Sequence, residues 1–274
     1  MQLKPSLVLK LCLFILTAGV FHLSANAQQK KRDSLEYLIS IEKNDTSLIK
    51  LRNQRNRLLQ LDSSIYYGVQ NIEAAHQLKF YAGELEARQD LASDYIYKNE
   101  FELAKEQLEY LKKFIQPTED SIDLSLLYSS YGMMYGMQSM YDSSIYYYEK
   151  SIGISERNNL RILGSDYSNI SIGYQQTGNY SMALEYQQKG LKLAQEQKNE
   201  NSQAYVLLNM AITYENIGDT AKAEDHYLQS LDLALKLDLK SVETYAYSNL
   251  SNLYIDQKKW DKAYDAAMKS INTS

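Results

Sequence analysis

The chain has 274 residues, a formal charge of −5, eleven Gly and two Pro. So few Gly and Pro exclude a loop-rich fold and suit an all-helical one, and the acidic balance argues against a general nucleic-acid footprint. Tyrosine is abundant at 25 copies beside one Trp and five Phe, supplying side chains that serve both as packing filler and as surface contacts.

Residues 1–27 read as a secretory signal peptide. Lys4 and Lys10 give a positive start, Leu11 to Leu23 is apolar, and Ala25-Asn26-Ala27 offers small residues for cleavage before Gln28. The alternative of an uncleaved anchor is weaker because Lys10 leaves a short apolar run. A lipid-modified Cys12 is disfavoured because most of the apolar run follows it. Cleavage would remove the only Cys and leave 27 basic against 34 acidic residues, or −7. The mature chain is then expected to be exported, to the periplasm or outside, and soluble. Residues 28–45 read as a linker with a short helix. Gln28 to Asp33 is polar and expected to be loose, and Ser34 to Lys43 is a short amphipathic helix with Leu35, Leu38 and Ile41 on one side.

Repeats begin at about residue 46. In 204–243, Leu207, Met210, Ala211 and Tyr214 share one helical face. Gly218 is placed to end that helix, with Asp219 or Thr220 capping the next. Ala223, Tyr227, Ser230 and Leu231 form the inner face of this second helix. The Tyr recurs as Tyr95, Tyr135, Tyr174, Tyr214 and Tyr254, at separations of 40, 39, 40 and 40. Four residues on stand Asn99, Ser139, Gly178, Gly218 and Lys258; nine on stand Ala104, Ser144, Ala183, Ala223 and Ala263. Asp62-Ser-Ser-Ile-Tyr-Tyr67 repeats as Asp142-Ser-Ser-Ile-Tyr-Tyr147, which makes 46–60 a degenerate first helix. The boundaries are 46–84, 85–124, 125–163, 164–203, 204–243 and 244–274. Such pairs bury their apolar faces only by stacking on one another.

The pattern resembles the tetratricopeptide repeat family. It is carried by Ala92, Gly132, Ser171, Ala211 and Ser251 three before each Tyr, by the Tyr itself, by the turn Gly, by the Ala nine on, and by Leu108, Tyr148 and Tyr227 beyond it. The period near 40 exceeds the family's usual 34. The resemblance covers 46–274 and implies an α-solenoid, a right-handed superhelix of antiparallel helix pairs with five to six repeats. The last inner face, Ala263, Ala267 and Ile271, is followed by no polar cap, which makes self-association through the C-terminal repeat one expectation.

No catalytic set assembles. There is no His-Glu-x-x-His, no Gly-x-Ser-x-Gly and no phosphate-binding glycine loop. Glu224-Asp225-His226 points in three directions on a helix and is not expected to hold a metal. Gly132 and Gly136 read as a close helix crossing. Neither a cofactor nor catalysis is expected.

Asn169, Asn209 and Asn249 stand five before the Tyr in three consecutive repeats. The resemblance implies a place on the first helix facing the concave groove, where an amide ladder can pair with the backbone of an extended peptide. The other reading is that each Asn orders the stack. The groove's neighbours are expected to be Ile172, Gln175, Tyr205, Leu208, Ile212, Glu215, Tyr245 and Asn252. The Lys or Arg of the family's carboxylate-clamp members is replaced here by Ser or Leu. The expected function is therefore non-enzymatic binding of a protein or peptide in the cell envelope. The alternatives are an assembly scaffold and the sensor portion of a transmembrane regulator.

Overall fold

The computed structural model describes residues 25–118, 121–158, 160 and 164–273. Residues 1–24, most of the expected signal peptide, lie outside the described residues. The described residues are helical, with no strand among them. The helices are α1 (Ala25–Ile41), α2 (Asp45–Asn56), α3 (Leu61–Gln77), α4 (Tyr81–Tyr97), α5 (Phe101–Thr118), α6 (Ser121–Met137), α7 (Tyr141–Arg157), α8 (Gly164–Gln176), α9 (Tyr180–Glu196), α10 (Glu200–Ile217), α11 (Thr220–Leu237), α12 (Lys240–Asp256) and α13 (Trp260–Thr273). They pack as consecutive pairs of a tetratricopeptide-like solenoid and form two compact units, α1–α7 and α8–α13.

The turns within pairs follow from one backbone device. Asn99, Ser139, Gly178, Gly218 and Lys258 all have positive φ, between 57° and 87°. This left-handed residue ends the first helix and lets the next amide bond back across the turn, as Asp219 N–H does to the Tyr214 carbonyl at 2.9 Å. Only Gly178 and Gly218 adopt it without a Cβ penalty. Asp219 then caps α11 by accepting from the Lys222 amide. Lys79, Lys198 and Asp238 are left-handed between pairs, a set the sequence reading did not single out.

Small residues set how closely helices approach. Ala104, Ser144, Ala183, Ala223 and Ala263 are all buried, as are Ala92, Gly132, Ser171, Ala211 and Ser251 opposite them. At Gly132 the approach is limiting, because a Cβ there would lie 2.8 Å from the Tyr148 ring. Ser144 Oγ donates to the Gly132 carbonyl at 2.8 Å, closing the α6–α7 crossing.

Two expectations are corrected. Gln28 to Asp33 is not loose: it belongs to α1, a single helix to Ile41. The span holds no Gly or Pro, and Gln29 donates to Asp33 at 2.6 Å one turn on. At the other end, Ala263 and Ala266 make the buried face of α13, while Ile271 is 68% exposed. The contact line runs through 263 and 266, and Ile271 falls outside it with Trp260 and Tyr264.

The first unit also holds a small polar cavity. Asn53, Asn56, Ser64, Asp90 and Asp94 line a space of about 10 Å³, room for one water. Burial pushes both Asp90 and Asp94 up to about 6, although Arg57 pairs with Asp90 at 2.7 Å and Ser64 bonds Asp94.

Candidate functional site

The residues expected to line the groove sit on α8, α10 and α12, three first helices that neighbour one another in the second unit. Their faces differ in what they leave open. Asn169 and Asn209 are 5% and 3% exposed, and Ile172, Gln175, Tyr205 and Leu208 are buried with them. These six are not presented to solvent, which corrects the expectation of a continuous open ladder. The helices approach closely enough that this arc of each becomes an inter-helix contact.

What fills that contact is polar and directed. Gln175 Nε2 on α8 donates to the Asn209 carbonyl at 3.2 Å and to Thr213 Oγ1 at 2.5 Å. Gln187 Nε2 on α9 donates to the same two acceptors at 3.3 Å and 2.9 Å. Asn209 thus joins the stack through its backbone. Tyr205 reaches α12, its hydroxyl 3.3 Å from Ser241 Oγ. The two glutamine amides are buried and answered, so they set the spacing of α8, α9 and α10.

The remaining candidates stay accessible. Ile212 and Glu215 on α10 are half-buried, as are Tyr245 and Asn249 on α12, and Asn252 is exposed. Tyr245, Asn249, Asn252 and Asp256 are spaced 4, 3 and 4 apart and share one helical face. Glu215 accepts from the Tyr227 hydroxyl at 2.5 Å. Burial raises its carboxyl above the usual range against that hydrogen bond, and the charge of Asp256 adds to the rise. Glu215 on α10 and Asp256 on α12 therefore put like charge on the two accessible faces. The sequence reading missed Asp256, although it stands seven residues after Asn249. The resulting surface is amide-rich, part apolar and acidic at one edge.

The other ionisable groups that the sequence singled out have local partners. Glu224 accepts from Tyr254, Asp225 from Gln229, and His226 Nδ1 lies against its own helix at the Lys222 carbonyl. His76 Nδ1 is 3.1 Å from Glu84 on the next helix. Among the described residues, no group of three or more His, Cys, Asp or Glu could hold a metal ion.

Residues 165–236, within α8–α11, match the family model for the tetratricopeptide repeat. Over that span the chain carries tetratricopeptide repeats. No curated protein matches it in sequence. Solved tetratricopeptide-like structures match in fold. BtubC (BKLC) from P. vanneervenii is 19% identical with a TM-score of 0.68, covering 78% of this chain and 91% of its own. The apo form of RapI is 13% identical with a TM-score of 0.65, covering 97% of each. NprR in complex with its cognate peptide NprX is 16% identical with a TM-score of 0.61, covering 90% of this chain and 67% of its own.

Proposed function

We propose that the chain is a non-enzymatic module that binds an extended peptide or protein segment on the accessible face of α10 and α12, in the cell envelope. The observation that carries the reading is the likeness in fold, over 90% of the chain, to a protein solved with a peptide bound. The envelope location rests on the leader-like residues 1–27. Asn249 and Asn252 supply amide donors and acceptors for a peptide backbone. Ile212 and Tyr245 supply apolar contact, and Glu215 with Asp256 favours a segment carrying a basic side chain.

The test is capture of peptides from an envelope extract, with the bound set read by mass spectrometry and recovered peptides re-synthesised for titration. A variant carrying Asn249→Ala and Asn252→Ala should lose about tenfold or more in affinity for such a peptide, with helicity unchanged. Unchanged affinity would remove this face from the reading.

A second reading, self-association, is favoured by one observation. Trp260, Tyr264, Met268 and Ile271 form an exposed apolar stripe on α13. Mass that rises with concentration, and that Tyr264→Ser lowers, would support it. A constant monomer mass would dismiss it.

A further inference from the structure

We propose that the α1–α2 end of the chain docks on an anionic lipid surface. The charge is segregated along the sequence. Residues 28–60 carry eight Lys and Arg against four Asp and Glu, a net +4. Lys4 and Lys10 carry +2 and the whole chain −5, which leaves −11 on residues 61–274.

Structure turns that excess into a face. Lys30, Tyr37, Leu38 and Ile41 are spaced 7, 1 and 3 apart on α1, and all four are exposed, with Lys31 beside Leu38 one face-width over. Leu35 faces inward, and Glu36 turns to the opposite flank, where it pairs with Arg55 at 3.3 Å. Leu38 and Ile41 continue into a groove of about 440 Å³ with Leu51 and Lys50 of α2; Glu42 also lines it, with Oε1 accepting from the Lys43 and Asn44 amides. Lys30, Lys31, Lys43 and Lys50 make no ion pair among the described residues, so their charge is available.

An apolar strip beside unneutralised lysines is the geometry of a helix lying in a bilayer interface. Tyr37, Leu38 and Ile41 would enter the headgroup boundary while the lysine stems extend their ammonium groups to lipid phosphates. A lipid surface fits better than a second copy. The C-terminal stripe on α13 is bordered by Asp261 and Asp265, and Lys269 already pairs with Asp265 at 2.8 Å, which leaves one carboxylate there against four lysines. The strongly negative remainder sets orientation, since only this end is attracted to an anionic bilayer at short range.

The test uses the chain from Gln28 and co-sedimentation with two vesicle types, equimolar phosphatidylglycerol with phosphatidylcholine, and phosphatidylcholine alone. Binding should be at least about tenfold stronger to the anionic vesicles and should fall as salt rises. Lys30→Glu with Lys31→Glu and Lys50→Glu should abolish that preference. Tyr37→Ser with Ile41→Ser should weaken binding at low salt, with circular dichroism unchanged for both variants. Absence of binding, equal binding to both vesicle types, or binding unaffected by the lysine changes would overturn the proposal. So would a loss of mass in solution on the same substitutions without vesicle binding, which would assign the face to a second copy.

Discussion

In α7 the residue thirteen after the repeat tyrosine is Tyr148; at the same place in α9 it is Gln187, and both are 1% exposed. Tyr148 fills its site by area, with its ring pressed on Gly132. Gln187 fills its site with directed bonds to the Asn209 carbonyl and Thr213. The turns contrast as well. The α1–α7 unit turns through Asn99 and Ser139, whereas α8–α13 turns through Gly178 and Gly218 before Lys258. The α1–α7 unit thus gains stability from aromatic burial and carries strain at its turns and carboxylates. In α8–α11 the turns are relaxed, and the site is polar at Gln187 in α9 but aromatic again at the buried Tyr227 in α11. One backbone plan tolerates both, because the plan needs a small residue at each crossing and a filled site beside it, not a particular filling chemistry.

The largest test removes the filling. Tyr148→Ala should cost about 3–5 kcal/mol, since a large buried side chain leaves a cavity that Gly132 cannot close. Gln187→Ala should cost less, about 1–3 kcal/mol, because Gln175 still donates to both of the acceptors left behind. Chemical denaturation of both variants decides the order, and a reversed order would break the comparison.

The carboxylates of the first unit sharpen it further. The folded pKa of Asp94, about 6, lies above its ordinary 3.8. The folded state therefore binds more protons between those values, and stability falls as pH rises from about 4 to about 6. Asp94→Asn should gain about 1–2 kcal/mol at pH 8, after allowance for partial solvent screening, and nothing near pH 3. Thermal melts across that range measure it, and an unchanged slope would show that Asp94 ionises without strain.

The smallest effect lies in the turns. Ser139→Gly and Lys258→Gly should each raise stability by up to about 1 kcal/mol by relieving a left-handed Cβ, while Gly178→Ala should lower it by a similar amount. A loss on Ser139→Gly would mean that its side chain stabilises the turn.

Much of this was legible in the residues. The inner faces at Ala211, Ala223 and Tyr227 followed from periodicity. The turn at Lys258 could be placed by register alone, although lysine is a poor left-handed residue. The candidate site was legible only in part. Asn169, Asn209 and Asn249 share a repeat position, yet the first two are enclosed and the third is half open. Nothing at those positions distinguishes them, because exposure is set by the approach of the neighbouring helix. Gln187 was the available signal, as the one polar departure in a series otherwise reading Leu108, Tyr148, Tyr227 and Ala267.

The sequence by itself determined the repeat helices, the turns within each pair and the pairing. Those depend on contacts within a turn or between adjacent segments, and a period near 40 repeats them. Only the tertiary structure decided that Asn209 serves through its carbonyl and that the charge of Asp256 is felt at Glu215. It also decided that Lys30, Tyr37, Leu38 and Ile41 share one open face on a helix that begins earlier than its apolar pattern implies. Each of these depends on how deep one helix sits against the next. That depth is a sum of side-chain volumes across the interface, which no single stretch of the chain contains.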